Sequence, residues 1–276
     1  MRNIAVLGGD KRQKYLADFL KEDGYNTVHL FNGGNAISID SAFDTVVLPM
    51  PISRDGFTLN APLHTDSIHL SYIFGLCSGK AVFGGGATNA IKQMAKEYDI
   101  EILDYLSRDE LGIKNGVATA EGAIAEAIFN TEHTLWGSRI LIVGNGKIGK
   151  ALAKILNSMG AVVSVSARKA ADLAQIEANG IHSIPTAEIA SVLPQCNIVF
   201  NTVPAPVLGI KELSCCRNDA LIIELASAPG GIDTTTAKRL NLRVLNLPSL
   251  PGRISPVSAA KYIEEAILNI SKEVGL

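Results

Sequence analysis

The stretch that most constrains this chain runs from Ser138 to Lys169. A β-branched apolar run, Ile140-Leu141-Ile142-Val143, enters Gly144-Asn145-Gly146-Lys147-Ile148-Gly149. A helical segment follows from Lys150 to Met159, then a second apolar run from Val162 to Val165. Strand, glycine turn, helix and strand in this order form the dinucleotide-binding fingerprint in its required setting. Gly144 permits the tight turn off the strand, Gly146 lets backbone approach a pyrophosphate, and Gly149 lets helix and strand pack closely. The phosphates are expected on N–H groups at the helix N-terminus, around Asn145, Lys147 and Ile148.

The end of the second strand selects the cofactor. An NAD site usually carries Asp or Glu there for the ribose 2′-hydroxyl. This strand ends Ser166-Ala167-Arg168-Lys169, without a carboxylate. A guanidinium and an ammonium attract a 2′-phosphate that a carboxylate would repel. The expected cofactor is therefore NADP, with Ser166, Arg168 and Lys169 around its 2′-phosphate.

The rest of the chain repeats the alternation. Ile4 to Leu7, Thr27 to Phe31, Thr45 to Leu48, Ala81 to Phe83 and Ile100 to Leu103 read as strands. Lys11 to Lys21, Ser67 to Leu76 and Ala87 to Tyr98 read as helices. After the fingerprint, strands recur near Ile181, Ile198, Leu221 and Val244. The expected fold class is α/β, two doubly wound parallel-sheet lobes with the second a Rossmann domain. Asn115 to Thr119 reads as a boundary, with Thr119 capping a hinge helix Ala120 to Glu132 and Glu121 in its first turn. Asn246 to Arg253 reads as a proline-rich loop. Ser255-Pro256 opens a last helix with Ala259, Ile263, Ala266, Ile267, Ile270 and Val274 on one face. That helix is expected to return to the first lobe. The domains are thus 1–118, completed by 256–276, and 119–255, with the active site between them.

In open α/β sheets ligands lie beyond the carboxyl ends of the strands. In the second lobe this selects Asn201 to Pro204 and Glu224 to Gly231 as the loops flanking the nicotinamide, with Thr202, Val203, Pro204, Ala226 and Ser227 as the contact residues. In the first it selects Gly8 to Arg12, Pro49 to Asp55 and Gly84-Gly85-Gly86. Arg12 and Arg54 are candidates to fork onto an anionic substrate, with Ser53 and Thr119 beside them. Asp10 and Glu121 are the candidate proton acceptors. Asp10 has the alternative of holding an arginine, and Glu121 that of serving the helix dipole.

A formal charge of −2 over 276 residues gives no electrostatic case for nucleic acid or a membrane surface. No apolar run approaches the ~20 residues of a membrane span, and the N-terminus lacks a signal-peptide pattern. Cys77, Cys196, Cys215 and Cys216 form no CxxC pair, and the five histidines show no metal spacing. Reduced thiols in a cytoplasm, and no metal, are expected.

With these loops in place the chain resembles the A subunit of dipicolinate synthase. The resemblance rests on Gly8 to Gln13, Thr119 to Ile124, Gly144 to Gly149, Ser166-Ala167-Arg168, Leu225 to Gly231 and Leu250 to Pro256, in order along nearly the whole chain. It implies oxidation of dihydrodipicolinate, a cyclic dicarboxylate, to dipicolinate, with NADP as hydride acceptor. It further implies a flavoprotein-like B subunit of dipicolinate synthase as partner and a role in endospore formation; a homo-oligomer is also expected. The rival readings are a 2-hydroxyacid dehydrogenase, a shikimate-type NADP dehydrogenase and a non-catalytic NADP-binding regulatory protein. The first wants a late histidine, and none follows His182. The second wants a Lys–Asp pair; Lys80, before a first-lobe strand, fits the lysine, but the sequence shows no evident Asp to go with it.

Overall fold

Among the described residues every strand pairs in parallel, and the strands form two separate sheets. The structure is a computed structural model and describes residues 1–33 and 42–276. Contacts divide the chain into one unit of Met1–Lys114 with Ser255–Leu276, and a second of Asn115–Ile254.

The first unit carries β1 (Asn3–Leu7), β2 (Asn26–Leu30), β3 (Thr45–Val47), β4 (Ala81–Gly84) and β5 (Ile102–Asp104), in the sheet order β2-β1-β3-β4-β5. The order reverses between β1 and β3, so the loops after these two strands border the crevice of this sheet. The strands are short and almost wholly apolar, as burial on both faces requires. Helices α1 (Lys11–Glu22), α2 (Leu70–Leu76) and α3 (Asn89–Lys96) belong to this unit. Asp10 caps α1, its carboxylate accepting from the Arg12 N–H at 3.0 Å.

Between the sheets in sequence runs α4 (Asp109–Asn130), one continuous helix of 22 residues. The helix start expected at Thr119 is absent. Thr119 lies mid-helix, its hydroxyl donating to the Asn115 carbonyl at 2.7 Å, and Glu121 is an exposed mid-helix residue. Asn-Gly reads locally as a terminator, but packing overrides it. A Cβ on Gly116 would stand 3.0 Å from the Lys147 carbonyl oxygen, so here glycine serves close approach. Ala120, Ala123, Ile124 and Ala127 then bury the next turns.

The second unit carries β6 (Arg139–Val143), β7 (Val162–Ala167), β8 (His182–Pro185), β9 (Ile198–Asn201), β10 (Leu221–Glu224) and β11 (Arg243–Asn246), in the order β11-β10-β9-β6-β7-β8. This is the doubly wound dinucleotide-binding topology, reversing between β6 and β9. Its helices are α5 (Lys147–Ser158), α6 (Ala170–Ala178), α7 (Ile210–Leu213), α8 (Thr234–Arg239) and α9 (Leu250–Ile254). The segment read as a proline-rich loop thus ends in a helix: Leu250 is buried and Pro251 occupies a first-turn position, where no N–H is needed.

Helix α10 (Pro256–Val274) returns to the first unit and packs on α1. Ile263, Ala266, Ile267 and Ile270 are buried against Ile4, Val6, Leu16 and Leu20, joined there by Ala260; Ala259 is buried as well, whereas Val274 is half exposed at the helix end.

Candidate functional site: a dinucleotide cleft and an anion-facing loop

The turn after β6 is shaped by steric necessity at two glycines. Gly144 has φ +104°, and a Cβ there would lie 2.6 Å from Thr202 Oγ1. A Cβ on Gly149 would lie 2.1 Å from the Gly144 carbonyl oxygen, which only glycine avoids. By contrast a Cβ on Gly146 would meet nothing within 4 Å, so this residue faces open space. Gly146 is also the N-cap of α5 and supplies no side chain to the first N–H groups. An open glycine at an uncapped helix N-terminus suits a pyrophosphate.

A cavity of about 540 Å³ lies beyond the carboxyl ends of β6, β7 and β9, of a size for a bound cofactor. Gly144, Asn145 and Gly146 line one side, Arg168 and Lys169 a second, and Thr202 to Val207 a third. Thr202 is held by its hydroxyl and its N–H, both donating to the Val143 carbonyl at 2.9 and 3.0 Å. Asn145 contributes a buried amide nitrogen with no hydrogen-bond partner among the described residues. Lys147 and Ile148 begin α5 beside this turn. Ser166 differs from expectation. It is fully buried with its hydroxyl unpartnered, so its side chain faces the interior and only Arg168 and Lys169 bring groups to the cavity. Ser166 is still within β7, whereas Arg168 and Lys169 follow its last residue, Ala167.

Ala226 and Ser227 lie in the next loop, outside this cavity's lining. That loop is organised by Glu224, which the sequence reading placed at the head of this loop without giving it a role of its own. Its carboxylate is 5% exposed and accepts from Ala226 N–H (2.9 Å), Gly231 N–H (2.8 Å) and Asn201 Nδ2 (2.8 Å). An acidic residue ending the buried run Leu221-Ile222-Ile223 is the available signal, because a buried carboxylate needs converging donors.

In the first unit the two candidate arginines separate. Arg12 is 7% exposed and pairs with Asp10 through Nε (2.9 Å) and Nη2 (2.8 Å), and Nη2 also donates to the Met50 carbonyl at 2.9 Å. Its fork is therefore filled from within the chain, and both Asp10 oxygens are engaged. This corrects the reading of Arg12 as a substrate clamp. Ser53 is likewise committed: it donates to Asp55 at 2.8 Å and accepts from the Gly56 N–H at 2.9 Å. The Asp55 carboxyl is held well below the usual carboxylate range by the Thr58 hydroxyl, the Thr58 and Phe57 N–H groups and Ser53. The resulting compact turn carries Arg54, which is exposed. Its Nε donates to Asn60 Oδ1 at 3.2 Å. Asn60, also missed, is buried and ties Pro51 O and Gly9 N–H to the same turn.

Burial pushes the Cys77 and Cys216 thiols up to about 12 and Cys196 to about 11, so these remain unreactive thiols at neutral pH. Among the described residues no cluster of three His, Cys, Asp or Glu side chains is placed to hold a metal, and no helix is long and apolar enough to cross a membrane.

Two parallel-sheet α/β units, the second with a dinucleotide cleft, define the oxidoreductase class of two-lobed dehydrogenases. Residues 113–231 accordingly match the family described as D-isomer specific 2-hydroxyacid dehydrogenase, NAD binding domain. Residues 3–106 match the N-terminal domain of the dipicolinate synthase A subunit. The chain is 28% identical to the dipicolinate synthase A subunit of Bacillus subtilis (strain 168), over 98% of this chain and 96% of that one. The crystal structure of the dipicolinate synthase A subunit from Bacillus halodurans superposes with a TM-score of 0.88 at 25% identity, covering 98% of this chain and 97% of that chain. The Bacillus subtilis A-chain structure gives 0.88 at 26% identity, covering 99% and 97%. The chain thus matches the dipicolinate synthase A subunit strongly from end to end, and its second unit matches an NAD-binding dehydrogenase domain.

Proposed function

We propose that this protein oxidises dihydrodipicolinate to dipicolinate with NADP as hydride acceptor, as the A subunit of a dipicolinate synthase working in the cytoplasm during endospore formation. The observation that carries the reading is an end-to-end likeness to the dipicolinate synthase A family in a chain whose second fingerprint strand runs into Arg168 and Lys169, both lining the cofactor cleft together with Asp172 from the following helix. A flavoprotein-like B subunit as partner, and a homo-oligomeric assembly, follow from the same resemblance.

The bound nicotinamide supplies hydride acceptance; the protein supplies binding and orientation. The turn from Gly144 to Gly149 takes the pyrophosphate, Arg168 and Lys169 take the 2′-phosphate, and the loops bearing Thr202, Val203, Pro204, Ala226 and Ser227 flank the nicotinamide. Arg54, held at Nε by Asn60, offers its outer nitrogens to a substrate carboxylate. Aromatisation removes one hydride and one proton and supplies most of the driving force, so a weak base suffices. Asp10 is bound to Arg12, which leaves the proton to Glu121 or to water.

The test is NADPH absorbance while a lysine-pathway synthase makes the substrate in situ from its aldehyde and pyruvate, with the chain alone and with the B subunit added. NADPH appearing with an aromatic pyridine product supports the reading. NADP binding without turnover in either mixture would favour a non-catalytic role or another substrate. Arg54→Ala is expected to raise KM about tenfold or more, as loss of a charge-assisted bond does, while leaving NADP affinity intact.

A further inference from the structure

Deepening the dinucleotide reading of the second unit, on which it rests, we infer that the buried Glu224–Asn201 pair is a positioning device that gives the nicotinamide end of the cleft its shape. Glu224 ends β10 and Asn201 ends β9, and the two are register partners. The Asn201 amide nitrogen donates to both Glu224 oxygens, at 2.8 and 3.0 Å. The remaining donors to this carboxylate all come from one loop: Ala226 N–H at 2.9 Å, Gly231 N–H at 2.8 Å and Ile232 N–H at 3.2 Å. A single carboxylate thereby gathers both ends of the 226–232 loop.

Asn201 extends the hold to the neighbouring loop. Its side chain accepts from Val203 N–H at 3.2 Å and donates to the Val203 carbonyl at 3.1 Å. The two loops are joined again where Val207 and Leu208 N–H donate to the Gly231 carbonyl, each at 3.0 Å. No side chain fits at this junction: a Cβ on Gly231 would stand 2.6 Å from Asn201 Nδ2 and from the Val203 carbonyl oxygen. Val203 to Val207 form one wall of the cofactor cavity, so the wall's position is set by a carboxylate that does not itself line the cavity.

Every donor to Glu224 is a neutral N–H, and the charge is buried. Such a group is tolerated only while its donors converge, so the arrangement has one geometry rather than several. Arg168 follows β7, three strands away from β10 in the sheet. At ~4.8 Å per strand that is about 14 Å. The 226–232 loop that Glu224 gathers stands outside the cavity lined by Arg168 and Lys169, so loosening it is expected to weigh on the half of the cofactor remote from the 2′-phosphate.

The experiment uses the full chain, its Glu224→Gln variant and its Asn201→Ser variant. Each is titrated calorimetrically with NADP+ and with adenosine 2′,5′-bisphosphate, and in parallel with NAD+ and ADP. Glutamine cannot accept from all the converging N–H groups, so the dinucleotide is expected to bind about tenfold or more weakly while the matching half-cofactor keeps its affinity within about twofold. Retained half-cofactor binding also shows that the variant is folded. Unchanged dinucleotide affinity in either variant overturns the inference. Equal loss of both ligands in both variants also overturns it, in favour of a role in the fold alone. Failure of the parent chain to bind either dinucleotide would instead remove the cofactor reading beneath it.

Discussion

Arg12 and Arg54 show how little residue type says about residue role. Both follow strand ends at the crevice of the first sheet, and both look equally fit for a substrate carboxylate. Arg12 is consumed by Asp10 and by a carbonyl 38 positions further along, a partner invisible to local sequence. Arg54 meets only a neutral amide at Nε among the described residues. For Arg168 the proposed role rests on position alone, at the end of a fingerprint strand. Arg168→Asp is expected to shift preference from NADP toward NAD, read as the ratio of the two dissociation constants; an unchanged ratio would remove the 2′-phosphate assignment. His29 gives a pH dependence. Burial pushes its imidazole below 6.5, partly opposed by its 2.8 Å contact with the Gly8 carbonyl and by Asp18. The unfolded chain therefore takes up a proton near pH 6.5 that the folded chain refuses until lower pH. Stability should be flat above that value and fall as pH drops through it. Chemical denaturation between about pH 7.5 and 5.5 should show this slope in the parent and a shallower one in His29→Gln.

At the scale of elements, periodicity is a sound guide wherever burial is one-sided or complete. The eleven strands among the described residues fall within about two residues of the apolar runs that announce them, and for the central ones burial on both faces leaves no polar alternative. Helix α4 departs from its local signals because glycine has two uses. Local propensity ends a helix at Asn115-Gly116; the Lys147 backbone, brought alongside by the fold, instead requires a residue without Cβ. In α10 the sequence pattern and the buried face agree from Ala259 to Ile270. Ile267→Ala there is expected to cost ~2–5 kcal/mol through lost burial and a residual cavity, measured by equilibrium unfolding. A cost below about 1 kcal/mol would mean that α10 does not seal this core.

At the scale of the whole molecule, the first unit is closed by the last twenty-two residues of the chain, Ser255 to Leu276. Removing them uncovers the sheet face bearing Ile4 and Val6 and the α1 residues Leu16 and Leu20. A chain ending at Ile254 should lose cooperative unfolding and amide protection in the first unit while the second still binds its dinucleotide. Full protection of both units would contradict this. The sequence by itself determined the α/β class, the parallel strands and the glycine turn, because each follows from short-range rules: strand burial and glycine sterics. Only the tertiary structure decided that Arg12 is spent on Asp10, that Ser166 faces inward, that α4 runs unbroken, and that Glu224 and Asn201 bind two loops into one wall. Those outcomes depend on which distant backbone groups arrive beside a side chain, and a linear sequence does not contain that distance.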